Sequence, residues 1–152
     1  KRDYEKATED YEFITAGEFS ERIENRELLE YEEVHGYMYG TTRAAVDTAR
    51  QNGIVLILEV DVNGALAIKR VYPDESATVF IFPPSLEVLR ERLKKRGSDS
   101  QERIERRLKR AAMEMKKSHS FDIEVINSDI DQAVSEINEK LKQMNGGSNH
   151  VN

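Results

Sequence analysis

The stretch Glu30-Tyr31-Glu32-Glu33-Val34-His35-Gly36-Tyr37-Met38-Tyr39-Gly40-Thr41-Thr42-Arg43 gathers carboxylates, phenols, glycines and two hydroxyls in the space of one strand and one turn. A helix start follows at Thr41 or Thr42, since a hydroxyl there can accept from the free N–H groups of the first turn. Such a mixture suits a polar ligand. The Tyr39-Gly40-Thr41-Thr42 end offers phenolic and aliphatic hydroxyls beside a helix N-terminus, where an anion could sit. The Glu30 carboxylate is an acceptor for an edge that donates at two adjacent nitrogens, as guanine does.

Outward from this stretch, the chain alternates helix and strand signals. Upstream, Thr15-Ala16-Gly17-Glu18 is a capping box for a helix to about Glu24, with Phe19 and Ile23 on one face and Asn25 closing it. Leu28 to Val34 alternates Leu29, Tyr31 and Glu33 against Glu30 and Glu32, the pattern of a half-exposed strand. Downstream, Thr42 to Gln51 reads as a helix ended by Gly53, and Ile54 to Val60 as an apolar run of strand length. Helices on both sides make that run a buried parallel strand. Ligands of open α/β sheets bind beyond the C-terminal strand ends, which points to Glu59 and Asp61; Asp61 can also cap a helix beginning at Val62, and the two roles can coexist. Ala77 to Phe82 is the next strand. Ser85 caps a helix to Arg96 that Gly97 closes, a second basic helix reaches about Lys117, and Phe121 to Ile126 is the last strand. Asp129 opens a terminal helix with Ile130, Val134, Ile137 and Leu141 toward the core.

The runs Leu28-Leu29-Glu30-Tyr31 and Gly36-Tyr37-Met38-Tyr39-Gly40-Thr41 resemble the monophosphate-binding segment of guanylate kinases. Ile57 to Gly64, Ile81 to Ser85, Arg92 to Gly97, Ile104 to Leu108 and Val125 to Asp129 look like further landmarks of that family, in its order. The resemblance runs from Arg2 to about Leu141, although Lys1 and Tyr4 stand where the family usually has proline and glycine. It implies an α/β fold of the P-loop nucleoside monophosphate kinase type, with a parallel sheet core, a small α+β GMP-binding lobe and a helical lid. The implied division is a guanylate-kinase-like domain over 1–144, made of a lobe at 3–40, a core at 41–88 and 119–144, and a lid at 89–118. The Gly/Ser/Asn-rich tail at 145–152 is expected to be disordered. By the same resemblance Glu30, Thr41 and Asp61 would read guanine, while Arg2, Tyr11 and Tyr39 would hold the GMP phosphate. Arg96 and Arg107 would stabilise the transferring phosphoryl group, with Arg103 a further lid candidate. The implied partners are GMP and ATP, the latter with Mg²⁺.

Charge and composition narrow the classes. A net charge of −6 argues against a general nucleic-acid binder. Twelve Lys or Arg against five acids between Arg90 and Lys117 nevertheless make a cationic island, and twelve acids lie between Asp3 and Glu33. Most of that island reads as a solvated helical face, and RNA binding through it lacks interleaved aromatics. With no cysteine and three scattered histidines, neither a disulfide framework nor a metal cluster is expected. A mean hydropathy of −0.68 and the lack of a long apolar run predict a soluble protein with no membrane span, and the lack of a signal-peptide pattern makes the cytoplasm the default; a monomer or homodimer is expected.

No Gly-x-x-x-x-Gly-Lys-[Ser/Thr] stretch occurs in the 152 residues, although the resemblance implies one after a first strand. The start at Lys1, without methionine and inside a family motif, predicts a longer protein carrying that segment. Two functions compete on this reading: ATP-dependent phosphorylation of GMP to GDP, and an inactive guanylate-kinase-like interaction module that binds a phosphopeptide at the GMP site. The presence of both guanine-reading and lid residues favours the enzyme.

Overall fold

The computed structural model describes residues 11–34, 36–97 and 99–146. Arg2 and the rest of 1–10, His35, and the tail at 147–152 lie outside the described residues. The chain divides into two compact units, Lys1–Ile68 and Lys69–Asn152.

In the first unit, α1 (Ala16–Glu24) begins at the capping box: Thr15 Oγ1 accepts from Glu18 N at 3.2 Å, and Glu18 Oε2 accepts from Thr15 N at 2.7 Å. Phe19 is buried and meets the Tyr31 ring edge-on, the centroids 6.4 Å apart. β1 (Leu28–Val34) turns at Gly36 (φ +84°) into β2 (Tyr37–Thr42), an antiparallel partner. The sequence reading had one strand where the structure has two. Tyr37, Met38 and Tyr39 alternate too weakly in polarity to announce β2, and it is the ladder with β1 that holds it. Leu28 faces Thr42 and Glu30 faces Thr41, so Leu29 is an extra residue on β1. This bulge departs from the expected alternation: Leu29 is buried and Glu30 and Glu32 half-buried, while Tyr31 is 51% exposed. Gly40 is required by the pairing, because a Cβ there would lie 2.9 Å from the Glu30 carbonyl oxygen.

α2 (Arg43–Gln51) starts where Thr42 Oγ1 accepts from Ala45 N and buries Val46 and Ala49. The backbone then turns through Gly53 (φ +66°). Here the structure corrects the sequence reading: residues 54–60 join no ladder among the described residues, and Val55 and Ile57 are 90% and 91% exposed. Apolar character alone does not make a buried strand; a hydrogen-bonded neighbour must be present, and among the described residues none is. α3 (Val62–Val71) follows.

In the second unit, β3 (Val79–Phe82) pairs in parallel with β4 (Ile123–Ile126), Val79 facing Ile123 and Phe82 facing Ile126. α4 (Leu86–Arg96) is capped by Ser85, whose Oγ accepts from Val88 N, and closed by Gly97 in the left-handed region (φ +69°). α5 (Gln101–Met115) is capped by Ser100. Leu93, Ile104 and Leu108 form a small core between these two helices, with Leu89 against it. After β4 comes α6 (Ile130–Gly146), which packs Ala133, Ile137 and Leu141 on Ile123 and Val125 of β4 and on Val79. Ile130 and Val134, expected on the core face, are 67% and 52% exposed: the buried stripe runs through Ala133, one residue to the side. Helix α6 also continues past Asn145, where the tail was expected to begin. The fold is thus α/β with small sheets and mainly helical elements, and among the described residues the expected parallel core is the two-stranded β3–β4 pair.

Candidate functional site

The β1–β2 ladder places Thr41 directly opposite Glu30, and the Thr41 hydroxyl donates to Glu30 Oε1 at 2.6 Å. A hydrogen bond this short to a carboxylate fixes its rotamer. Both residues are half-buried. Asp61 sits at the head of α3, where its Oδ1 accepts from Gly64 N at 2.7 Å and its carbonyl from Ala65 N at 2.9 Å. Asp61 is therefore a helix cap, and a carboxylate so bound still has lone pairs to offer. Its place comes from that cap and not from a strand end, because 54–60 forms no strand; Glu59, the other residue expected there, is exposed.

Glu30 and Asp61 meet over Gly64. Glu30 Oε2 and Asp61 Oδ1 lie 2.9 and 3.2 Å from the point where a Gly64 Cβ would stand. The result is a half-buried pair of carboxylates with a hydroxyl beside them, suited to a ligand edge that presents several N–H donors. Gly64 was not singled out in the sequence. Its signal was a glycine in the first turn of an otherwise apolar helix, where glycine costs helix stability. Near the hairpin, the Tyr11 and Tyr39 rings meet edge-on with centroids 5.7 Å apart, so two of the residues expected at a phosphate are neighbours.

In the second unit, Arg92, Arg96 and Arg107 line one open groove with Leu89, Leu93 and Lys95. Most arginines of α4 and α5 have partners, Arg106 on Glu102 and Arg110 on Glu114 among them. Arg92 Nη2 donates to the Asn127 carbonyl at 3.0 Å, Arg107 Nη1 donates to Asp99 Oδ2 at 2.7 Å, and Arg90 grips Glu105 with both guanidinium nitrogens. The Arg90 guanidinium holds the Glu105 carboxyl below its ordinary range. Arg96 has no polar partner among the described residues. Asp99 was overlooked in the sequence because it lies in a Gly-Ser connection, yet its side chain is only 5% exposed. The groove converges positive charge around Arg96, an arrangement that can hold phosphate oxygens.

Comparison with known proteins then gives a consistent picture. The family model for guanylate kinase matches residues 1–144. The guanylate kinase of Salinibacter ruber is 42% identical over 135 residues, covering 88% of this chain and 71% of that protein. That of Polaromonas is 42% identical over 136 residues, covering 90% and 66%. Among solved structures, the guanylate kinase from Anaplasma phagocytophilum superposes with a TM-score of 0.76 at 30% identity, covering 94% of this chain and 69% of that one. The chain spans about two thirds of the length of these relatives.

Proposed function

The chain belongs to the guanylate kinase family, and from that premise we propose that its protein transfers the γ-phosphoryl group of ATP to GMP, giving ADP and GDP. The observation that carries the reading is the meeting of Glu30 and Asp61 over the first turn of α3, with Thr41 orienting Glu30. Guanine presents N1–H and N2–H₂ as adjacent donors and can satisfy two carboxylates. Adenine presents a lone pair at N1 and would leave a half-buried acceptor facing an acceptor. On this reading Tyr11, Tyr39 and Arg2 hold the GMP phosphate.

In-line phosphoryl transfer needs position and charge stabilisation more than covalent help. ATP brings Mg²⁺ with it as substrate. The glycine-rich cradle for its phosphates is not encoded in these 152 residues, so the part played by this chain is the acceptor nucleotide's pocket and the arginine groove. Arg96 and Arg107 neutralise charge on the transferring group, and closure of 89–118 as a lid would exclude water. The domain roles follow: 3–40 as GMP-binding lobe, 41–88 and 119–144 as core. No helix among the described residues is long and apolar enough to cross a membrane; a cytoplasmic monomer or homodimer is part of the proposed reading, resting on the family likeness alone.

The test is calorimetry of the full-length protein with GMP and AMP. GMP should bind on the order of 10²-fold more tightly or better, because a wrong base sets an acceptor against half-buried carboxylate oxygens. Glu30→Ala should remove the preference. Equal affinity for the two nucleotides would refute the pocket, and binding of a phosphoserine peptide in place of GMP would assign the chain to the interaction modules.

A further inference from the structure

Gly64 occupies the third position of α3, is buried, and does not adopt a left-handed backbone, so helical geometry does not require glycine there. What requires it is space. A Cβ at this position would lie 2.9 Å from Glu30 Oε2 and 3.2 Å from both Glu30 Cγ and Asp61 Oδ1. We propose that Gly64 is a positioning residue for base specificity: its missing side chain is the floor on which the Glu30 carboxylate rests, and the Asp61–Gly64 bond sets the height of that floor. The inference rests on the reading of Glu30, Thr41 and Asp61 as a guanine pocket.

The direction of yielding decides the consequence. Gly64 N is tied to Asp61 Oδ1 at 2.7 Å, in the first turn of a helix whose neighbours Val62 and Ile68 are buried. Glu30 Oε2 is the far end of a flexible side chain. A methyl group at position 64 therefore leaves the helix in place and lifts the carboxylate away, which breaks the 2.6 Å bond from Thr41 and misaligns the acceptor from guanine N1–H. Alanine is the better helix former, which offsets in part the loss of the Thr41–Glu30 bond, so the fold is kept. Phosphate and ribose contacts, which GMP and AMP share, are untouched.

The experiment is a double-mutant cycle on the full-length protein with Gly64→Ala, Glu30→Ala and the pair, read by calorimetry with GMP and AMP and by thermal melting. Gly64→Ala should weaken GMP about tenfold or more while AMP affinity holds and the protein keeps a cooperative melt. In the Glu30→Ala background the same substitution should change nothing further. An unchanged GMP/AMP ratio in Gly64→Ala, an equal loss of both nucleotides, loss of the cooperative melt, or additive losses in the cycle would each overturn the inference while the guanine pocket stands. Failure of the unsubstituted protein to distinguish GMP from AMP would overturn the pocket and the inference with it.

Discussion

Among single residues, the arginines divide by what already holds them. Arg90 is taken up by Glu105, and Arg107 by the nearly buried Asp99, whereas Arg96 faces the groove without a polar partner among the described residues. If Arg96 and Arg107 meet the transferring phosphoryl group mainly in the transition state, their alanine variants in the full-length enzyme should lose about 10²–10³-fold in kcat. The KM for GMP should stay near its original value. Steady-state kinetics checks this, and a rise in KM with kcat intact would move both arginines to ground-state binding. Glu30, Thr41 and Asp61 were grouped by the family resemblance, and the structure brings them together, Thr41 on Glu30 and both carboxylates beside Gly64, while their part in reading guanine is the proposed one. Gly64 was not legible in the sequence, since its contribution is an atom it lacks, and Asp99 was not, because sequence gives no hint that a residue in a Gly-Ser connection is covered.

Among elements, helix ends proved the most legible feature. Thr15, Thr42 and Ser85, read as helix starts from the sequence, each accept from the first turn that follows, as does Ser100, and Gly97 takes the left-handed conformation expected of a helix stop. These signals are local, so no distant partner is needed to read them. Strands are different: β2 was missed and residues 54–60 were overcalled because a strand exists only through its neighbour. The β3–β4 pair shows what a neighbour supplies. Asp122 Oδ2 accepts from Thr78 N at 2.8 Å, from the Thr78 hydroxyl at 2.8 Å and from Lys69 Nζ at 3.1 Å, fastening the start of the parallel ladder. Burial pushes the Asp122 pKa up, but Thr78 and Lys69 outweigh it and the net shift is downward from the ordinary 3.8. The unfolded chain then takes up this proton at higher pH than the folded one. The clasp's stabilisation is accordingly full above about pH 4 and lost as pH falls through the lower, folded value. Asp122→Ala should cost about 1–3 kcal/mol at pH 7, because it orphans the Thr78 donors. In urea titrations the gap to the unsubstituted protein should narrow at pH 3; an equal gap at both pH values would mean that packing, not charge, is what was lost.

For the whole molecule, the question is what Ile54, Val55, Leu56 and Ile57 do with 59%, 90%, 44% and 91% of their surface open to water. Burying one aliphatic side chain of this size is worth about 1.5–3 kcal/mol, so four such residues in a row are a strong incentive to find cover. The segment also offers backbone donors and acceptors that no ladder among the described residues takes up, which is a template for pairing with another chain. Relatives such as the Salinibacter ruber protein are longer than the part this chain matches, so their folds have sequence to spare for that cover. A polypeptide made of residues 1–152 alone should therefore bind a hydrophobic dye, melt without a sharp transition, and associate as its concentration rises. The double substitution Val55→Thr with Ile57→Thr should reduce association in sedimentation or light scattering, because it removes apolar surface from the two most exposed positions while leaving β-branched residues. In a longer protein that covers this segment, the same pair of substitutions should lower the melting temperature instead. A 152-residue polypeptide that is monomeric, melts cooperatively and phosphorylates GMP would refute both the need for cover and the need for a phosphate cradle outside these residues.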